Sequence, residues 1–182
     1  MNLKFLASLL FLSLFASAKT TDELRLDLVT SLQQQASQIA LTASNNVNAS
    51  EPARTIYREI WSYLQNNELV FATSKNNFEF CKKDKTTVAY VDPKTLKIHL
   101  CSRLFLVYKN KIGRLLGTII HEVAHATNND RIVNPNDDEC GAVLISVSTF
   151  NDAGKSPHEI IQNSGYILNG RCKIGMTDRI GQ

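Results

Sequence analysis

The strongest constraint on this chain is the run His121-Glu122-Val123-Ala124-His125, which lies inside an apolar stretch from Ile112 to Thr127. Residues four apart lie on one face of a helix, so both imidazoles can bind the same metal ion. Glu122 stands at the spacing that places a carboxylate beside a water on that ion. This pattern indicates a metal site if the helix is buried and a third ligand follows it.

The helix that contains this run is predicted to be buried, because apolar side chains cover most of its surface. Two imidazoles and a carboxylate are costly to bury without partners or a metal. Gly113 and Gly117 are predicted to permit close packing of another element. The apolar residues of the helix are Ile112, Leu115, Leu116, Ile119, Ile120, Val123 and Ala124.

Length and composition fit one soluble globular domain. The chain has 182 residues, of which 43% are hydrophobic and 20% charged, enough to bury a substantial core. The formal net charge is +3. A charge so close to neutral gives no electrostatic argument for binding nucleic acid or an anionic membrane.

Residues 1–18 are predicted to be a signal peptide. Lys4 supplies a positive start, Phe5 to Phe15 form an apolar segment too short to span a bilayer, and Ala16-Ser17-Ala18 form a cleavage site. We therefore expect a secreted or periplasmic protein with one domain over residues 19–182 and no membrane span after cleavage.

The four cysteines Cys81, Cys101, Cys140 and Cys172 all fall in the predicted mature chain. In an exported protein an even count indicates two disulfides, and the absence of a C-x-x-C pair argues against a cysteine-ligated zinc site. Three connectivities are open. Pairing of Cys81 with Cys101 and of Cys140 with Cys172 is favoured, since the first bridge would close a predicted hairpin.

The remaining patterns predict an α+β fold that is mostly helical, with a small β-hairpin or sheet before the motif helix. Helical spacing and capping residues predict two helices ahead of the hairpin and two after the motif. The later segments are a hairpin over Thr87–Val91 and Leu96–Leu100, a loop over 128–136, a helix from Asp137 to Phe150 and a last helix from Pro157 to Leu168.

A third metal ligand is expected in the acidic cluster Asp137-Asp138-Glu139, which follows His125 across the predicted loop. A catalytic zinc has three protein ligands and a fourth position for water. Acidic residues also cap a helix start and stabilise its first turn. The two interpretations are compatible, because one carboxylate can bind the metal while the others cap.

With three ligands the site predicts metal-assisted hydrolysis. Zinc lowers the pKa of its water, and Glu122 is placed to take the proton and return it to the leaving amine. A further group is needed to stabilise the oxyanion, and the local motif does not identify it.

The chain resembles the aspzincins, the deuterolysin-like and lysine-specific metallo-endopeptidases, over about residues 78 to 168. This resemblance implies a zincin-like fold, zinc on two histidines and an aspartate, and hydrolysis of peptide bonds. The closing helix, with Gln162, Asn163 and Tyr166, is similar to the N-A-D-x-Y pattern of that family. The resemblance is strongest over Phe80-Cys81, Ala89-Tyr90-Val91, Pro93, Ile98–Cys101, Phe105 and Ile119–His125.

The chain departs from that family after the motif helix, where the family has G-T-x-D-x-x-Y-G. Alignment on Gly141 makes Asp137 the ligand and puts Cys140 at the tyrosine position, whereas alignment one residue later makes Asp138 the ligand. In both alignments the family's tyrosine is absent. Glu139, as in a glutamate-type zincin, is a third option that we favour less than the aspartates.

These patterns lead to one main hypothesis, a secreted zinc-dependent endopeptidase with one Zn²⁺ per chain. His121 and His125 bind zinc, Asp137 or Asp138 completes the site, and Glu122 is catalytic; the partner is a protein or peptide substrate. The alternative is an exported, non-catalytic zinc-binding protein of the same fold that acts as a binding or host-interaction factor.

Overall fold

The computed structural model describes residues 21–71, 79–83, 86–108 and 110–181, so the predicted signal peptide lies outside the described residues. Helices dominate and enclose a small mixed sheet, which confirms the predicted α+β class. The described helices are α1 (Thr21–Ser44), α2 (Glu51–Asn66), α3 (Glu79–Lys83), α4 (Arg103–Val107), α5 (Ile112–Ala126), α6 (Asn129–Val133), α7 (Asp138–Asp152), α8 (His158–Asn163) and α9 (Gly165–Leu168). The described strands are β1 (Val70–Phe71), β2 (Ala89–Val91) and β3 (Ile98–Leu100).

The first two helices form a packed pair at one side of the core, as the apolar spacing predicts. The Ser50 hydroxyl accepts a hydrogen bond from the Ala53 N–H and so caps α2, while Pro52 occupies its first turn. Gln33 of α1 donates to the Leu64 carbonyl of α2 at 2.7 Å. This pair supplies one wall against which the motif helix is buried.

The sheet lies beside the motif helix, and a disulfide links its end to α3. Its strand order is β1-β3-β2, with β1 parallel and β2 antiparallel to β3. The predicted hairpin is therefore present, and Asp92 closes its turn by accepting a hydrogen bond from the Lys94 N–H. Cys101, next after β3, is bonded to Cys81 of α3, as favoured from the sequence.

The motif helix α5 is buried along most of its length. Leu115, Ile119 and Ile120 are at most 2% exposed. A Cβ atom at Gly117 would lie 2.6 Å from a side-chain atom of Ile160 in α8, so the glycine permits the close packing predicted for it. Because α5 is fixed from several sides, the side chains on its remaining face are held in defined positions.

Several segments differ from the sequence-based prediction, among them the short helices α3 and α4, which were not predicted. The expected loop over 128–136 contains the short helix α6, which begins after Asn128 turns the chain in the left-handed region at φ 59°. The expected last helix is divided into α8 and α9, because the extended backbone of Ser164 interrupts it. The parallel strand β1 was not predicted, since two residues are too few to show a period.

The C-terminal segment is tied back onto α7. Cys172 is bonded to Cys140, the second favoured disulfide, and the described cysteines include no free thiol. Further along, the Ile180 N–H donates to Ser148 of α7. In the part of the chain that the structure describes, no helix combines the length and apolar character needed to cross a bilayer.

Candidate metal centre

The two motif histidines converge as the four-residue spacing predicts. The Nε2 atoms of His121 and His125 lie 3.1 Å apart, and their rings meet edge to face with centroids 4.7 Å apart. Both side chains are partly exposed, at 15% and 20%, although α5 is otherwise buried. The imidazoles therefore face an opening at the surface of the protein.

Glu139, near the start of α7, completes the group. Its Oε2 lies 3.1 Å from His121 Nε2 and 3.6 Å from His125 Nε2. Among the described residues, these three are the histidine, cysteine and acidic side chains whose ligand atoms lie within 4.8 Å of one another.

The spacing of these atoms fits a tetrahedral metal ion. Ligands about 2.0–2.2 Å from zinc in a tetrahedral arrangement are roughly 3.3–3.6 Å apart, close to the three distances observed. Imidazole nitrogen and carboxylate oxygen are also ligand types that zinc accepts. The group could hold a metal ion, and three protein ligands around a tetrahedral ion would leave the fourth position for water.

Neither of the two aspartates expected as ligands belongs to this group. Asp137 caps α7 by accepting from the Cys140 N–H, and it pairs with Arg171 at 2.7 and 2.9 Å. Arg171 also holds the pKa of Asp137 below its usual value. Asp138 is 44% exposed and lies 3.9 Å from Arg131. The structure thus brings Glu139, the less favoured option, to the histidines.

A close approach between α6 and α7 places Glu139 there. A Cβ atom at Gly141 would lie 2.1 Å from the backbone carbonyl oxygen of Asp130, so residue 141 tolerates only glycine without a shift of the helices. The start of α7 is therefore held against α6, which directly follows the motif helix. This contact carries Glu139 toward His125.

Asp130 orients the second histidine and was not found from the sequence. Its Oδ2 lies 2.6 Å from His125 Nδ1, and the aspartate is 3% exposed. A carboxylate that accepts a hydrogen bond from the Nδ1–H group leaves Nε2 free to act as the metal ligand. Its position five residues after His125, in a predicted loop, gives no recognisable spacing.

The opposite charges of His125 and Glu139 shift the pKa of each residue. Burial alone would lower the pKa of His125, but the carboxylates of Glu139, Glu122 and Asp130 raise it to about 9. Burial likewise works against ionisation of Glu139, yet hydrogen bonds from the two histidines hold its pKa far below the usual value. The Glu139 carboxylate and the His125 imidazole therefore each favour the charged form of the other.

Glu122 lies beside this group and is 8% exposed. Burial raises its pKa, against the opposing effect of His121, His125 and Arg114. A buried carboxyl group with a raised pKa beside candidate metal ligands is the type of group that general acid–base catalysis uses. The catalytic role that the motif predicts for Glu122 stays a prediction.

Tyr166 of α9 also faces the group, although the sequence assigned it no role. Its ring is parallel to that of His121 at 6.3 Å, and the Arg171 guanidinium lies 5.2 Å from the tyrosine ring. Burial and the Glu139 carboxylate raise the pKa of Tyr166 to about 12. The phenol therefore remains a hydrogen-bond donor at physiological pH.

These side chains line one cleft of about 350 Å³. Strand β2 forms the opposite wall, and the Phe80 ring lies 4.6 Å from that of Tyr90 at its rim. The described lining residues are Phe80, Thr87, Ala89, Tyr90, Val91, His121, Glu122, His125, Asp138, Glu139 and Tyr166.

Comparison of this chain with protein-family models, with curated proteins and with solved structures found no match in any of the three.

Proposed function

We propose that this protein is an exported zinc-dependent endopeptidase. The observation that supports this most directly is the convergence of His121, His125 and Glu139 next to the buried Glu122 in one cleft. Metal ligation alone does not require a further carboxylate at the position of Glu122, whereas hydrolysis requires a base there.

In this proposal His121, His125 and Glu139 hold the zinc, and Asp130 orients His125 from behind. When bound, the ion supplies a Lewis acid that lowers the pKa of a water and polarises a substrate carbonyl. The nitrogen and oxygen donors and their separations of 3.1–3.6 Å favour zinc over magnesium or calcium, which prefer all-oxygen sites with more ligands.

Glu122 acts as the general base and then as the general acid. It accepts a proton from the attacking water and passes it to the nitrogen of the leaving amine. Its burial at 8% exposure favours the protonated form that the second step uses.

Tyr166 donates a hydrogen bond to the oxyanion that develops on the substrate carbonyl. A pKa of about 12 keeps the phenol protonated, and Arg171 and the parallel His121 ring fix its orientation. A preorganised donor of this kind stabilises the transition state more than the ground state. In this way Tyr166 takes the place of the tyrosine that the aspzincin signature contains and this chain lacks at that position.

The proposed protein is zincin-like with a glutamate in place of the family's aspartate. Its two disulfides fit the secreted or periplasmic location inferred from the predicted signal peptide. Protein or peptide substrates follow from the proposed chemistry.

The direct test is digestion of casein by the purified mature chain after loading with one equivalent of zinc. We expect proteolysis that is lost with a chelator and restored by zinc. The Glu122→Gln variant should bind one zinc per chain and have activity reduced by about 10²–10⁴-fold.

Two results would contradict this proposal in different ways. If wild type and Glu122→Gln bind zinc equally and both leave casein and peptides intact, the protein is a non-catalytic zinc-binding factor. If the wild type binds no metal, the site itself is rejected.

A further inference from the structure

A second, inner pocket of about 290 Å³ adjoins the metal cleft and shares His121, Glu122 and Tyr166 with it. It extends along α5 toward the start of that helix, where Arg114 and Thr118 line it. These two residues are four apart, so they lie on one face of α5, and His121 and Glu122 continue that face. The pocket is thus continuous with the proposed reaction site.

Two hydrogen-bonding groups in this pocket have no partner among the described residues. Thr118 is 4% exposed, and its Oγ1 makes no hydrogen bond to the described part of the chain. The Nε atom of Arg114 is also buried, and no described residue accepts a hydrogen bond from it. Buried polar groups are normally paired, and leaving one unpaired costs free energy. Both groups are therefore available to hydrogen-bond a ligand in this pocket.

The charge of Arg114 is not neutralised by an ion pair in the described part of the chain. Its guanidinium lies 5.2 Å from the centre of the Tyr108 ring, which supports it by a cation–π contact, and its backbone N–H donates to Glu159 at 3.3 Å. Neither contact uses the buried Nε–H. An oriented guanidinium in a half-buried pocket is suited to bind a carboxylate.

The hydrogen-bonding groups of Arg114 and Thr118 indicate which kind of ligand the pocket can bind. An arginine Nε–H can only donate, and a threonine hydroxyl can donate as well as accept. A carboxylate accepts at both oxygens and satisfies both groups, while a lysine ammonium can only donate and would be repelled by Arg114. This argues against the lysine preference of one branch of the aspzincins.

We propose that the inner pocket binds a carboxylate of the substrate next to the bond that is cleaved, with Arg114 and Thr118 as donors. This inference depends on the proposed peptidase function. The carboxylate belongs either to an aspartate or glutamate side chain or to a free chain end. By the helix rise, about 4.5 Å along α5 separates Thr118 from His121 and about 10 Å separates Arg114 from it.

The test uses internally quenched peptides that are blocked at both ends and differ only by Glu, Gln or Lys at the residue after the cleaved bond. We expect kcat/KM for the Glu peptide to exceed that for the Gln peptide by about tenfold or more, since hydrogen bonds to charged groups are strong. The Lys peptide should be the poorest of the three. A Gln peptide with a free terminal carboxylate, compared with its amide, tests the chain end as the source.

Variants assign the preference to the pocket. In Arg114→Gln the Glu-to-Gln ratio should fall to within about threefold, and Thr118→Val, which keeps the side-chain shape, should lower it partway. Arg58→Gln, at an exposed arginine on α2, is the matched control and should keep the wild-type ratio. Thermal melting of each variant identifies any loss of folding.

The outcomes separate the pocket from the proposed peptidase function. Cleavage with equal rates for Glu and Gln peptides, or a preference that persists in Arg114→Gln, rejects the pocket and leaves the peptidase. If no peptide is cleaved, fluorescence anisotropy of the same labelled peptides on zinc-loaded Glu122→Gln protein decides. If the Glu peptide binds more tightly than the Gln peptide and adding Arg114→Gln abolishes the difference, the carboxylate pocket is supported and the peptidase function is rejected. If the two peptides bind equally, both proposals are rejected.

Discussion

The two ends of helix α7 each contain an acidic side chain, and they differ in how its charge is balanced. Near the C-terminal end, Asp152 is 5% exposed, accepts a hydrogen bond from the Tyr57 hydroxyl at 2.7 Å and pairs with Arg179 at 3.1 Å. At the N-terminal end, Glu139 faces His121 and His125, and no described lysine or arginine pairs with it.

This difference separates a structural cluster from a candidate binding site. The carboxylate at the end of the helix is neutralised by the protein's own arginine, which offsets the unfavourable helix dipole there. The carboxylate at the start of the helix meets two further ligand atoms in an open cleft, an arrangement that a cation from solution stabilises. Only the second group therefore has the arrangement of a candidate cation site.

The largest effect is expected from Glu139→Gln, which removes one of three proposed ligands. Zinc affinity should fall by more than about 100-fold, because loss of a residue that only supports a metal ligand already costs up to about 100-fold. Competition with a chromogenic chelator measures it. Asp137→Asn and Asp138→Asn are the matched controls and should stay within about threefold; a loss in either of them, with Glu139→Gln unaffected, would restore the aspartate hypothesis.

Tyr166→Phe should lower kcat by about 10²–10³-fold, because it removes a donor that acts mainly in the transition state. KM and zinc affinity should change little, which steady-state kinetics and chelator competition can establish. A fall in zinc affinity parallel to the fall in kcat would instead give Tyr166 a role in forming the metal site.

Asp130→Asn should lower zinc affinity by about 10–100-fold, since the carboxylate that orients His125 becomes a neutral amide. Titration with zinc at fixed pH detects the change. Unchanged affinity would mean that the 2.6 Å contact between Asp130 and His125 matters only for folding.

The smallest effect on the site is expected from Tyr57→Phe in the cluster at the other end of α7. Loss of a hydrogen bond to a buried carboxylate should cost about 1.5–3 kcal/mol of unfolding free energy. Urea denaturation measures this cost. Zinc affinity and activity of the folded variant should equal those of the wild type, and a marked change in either would show that the two ends of α7 are coupled.

The sequence predicted the parts of the site that depend on local geometry. The four-residue spacing of His121 and His125 on a continuous helix sets their separation, and the structure has it. The two favoured disulfides and the hairpin are also present, because turn residues and cysteine positions constrain nearby chain segments.

The third member of the group depended on where α7 begins. Successive helical residues point about 100° apart, so a shift of one residue changes which side chain faces the histidines. Asp137 lies outside the first turn and caps it, whereas Glu139 lies within it. Element boundaries are the least certain part of a sequence-based prediction, and here the boundary decided which carboxylate faces the histidines.

The positions of Asp130 and Tyr166 in the site could not be predicted from the sequence, for a different reason. Asp130 meets His125 only because Asn128 takes a left-handed backbone conformation that turns the chain into α6. Tyr166 reaches the cleft through α9, some forty residues from the motif helix, and is fixed by contacts with Arg171 and His121. Such positions follow from tertiary packing, which has no period in the sequence.

The contact of Gly141 with the Asp130 carbonyl also defines how relatives of this protein can be recognised. A methyl group there would force a shift between α6, which contains Asp130, and α7, which contains Glu139. The hallmark of the site is therefore a pattern of five positions that runs from His121 to Gly141. It consists of the two histidines, the aspartate five residues after the second, the glutamate, and the glycine two residues beyond it.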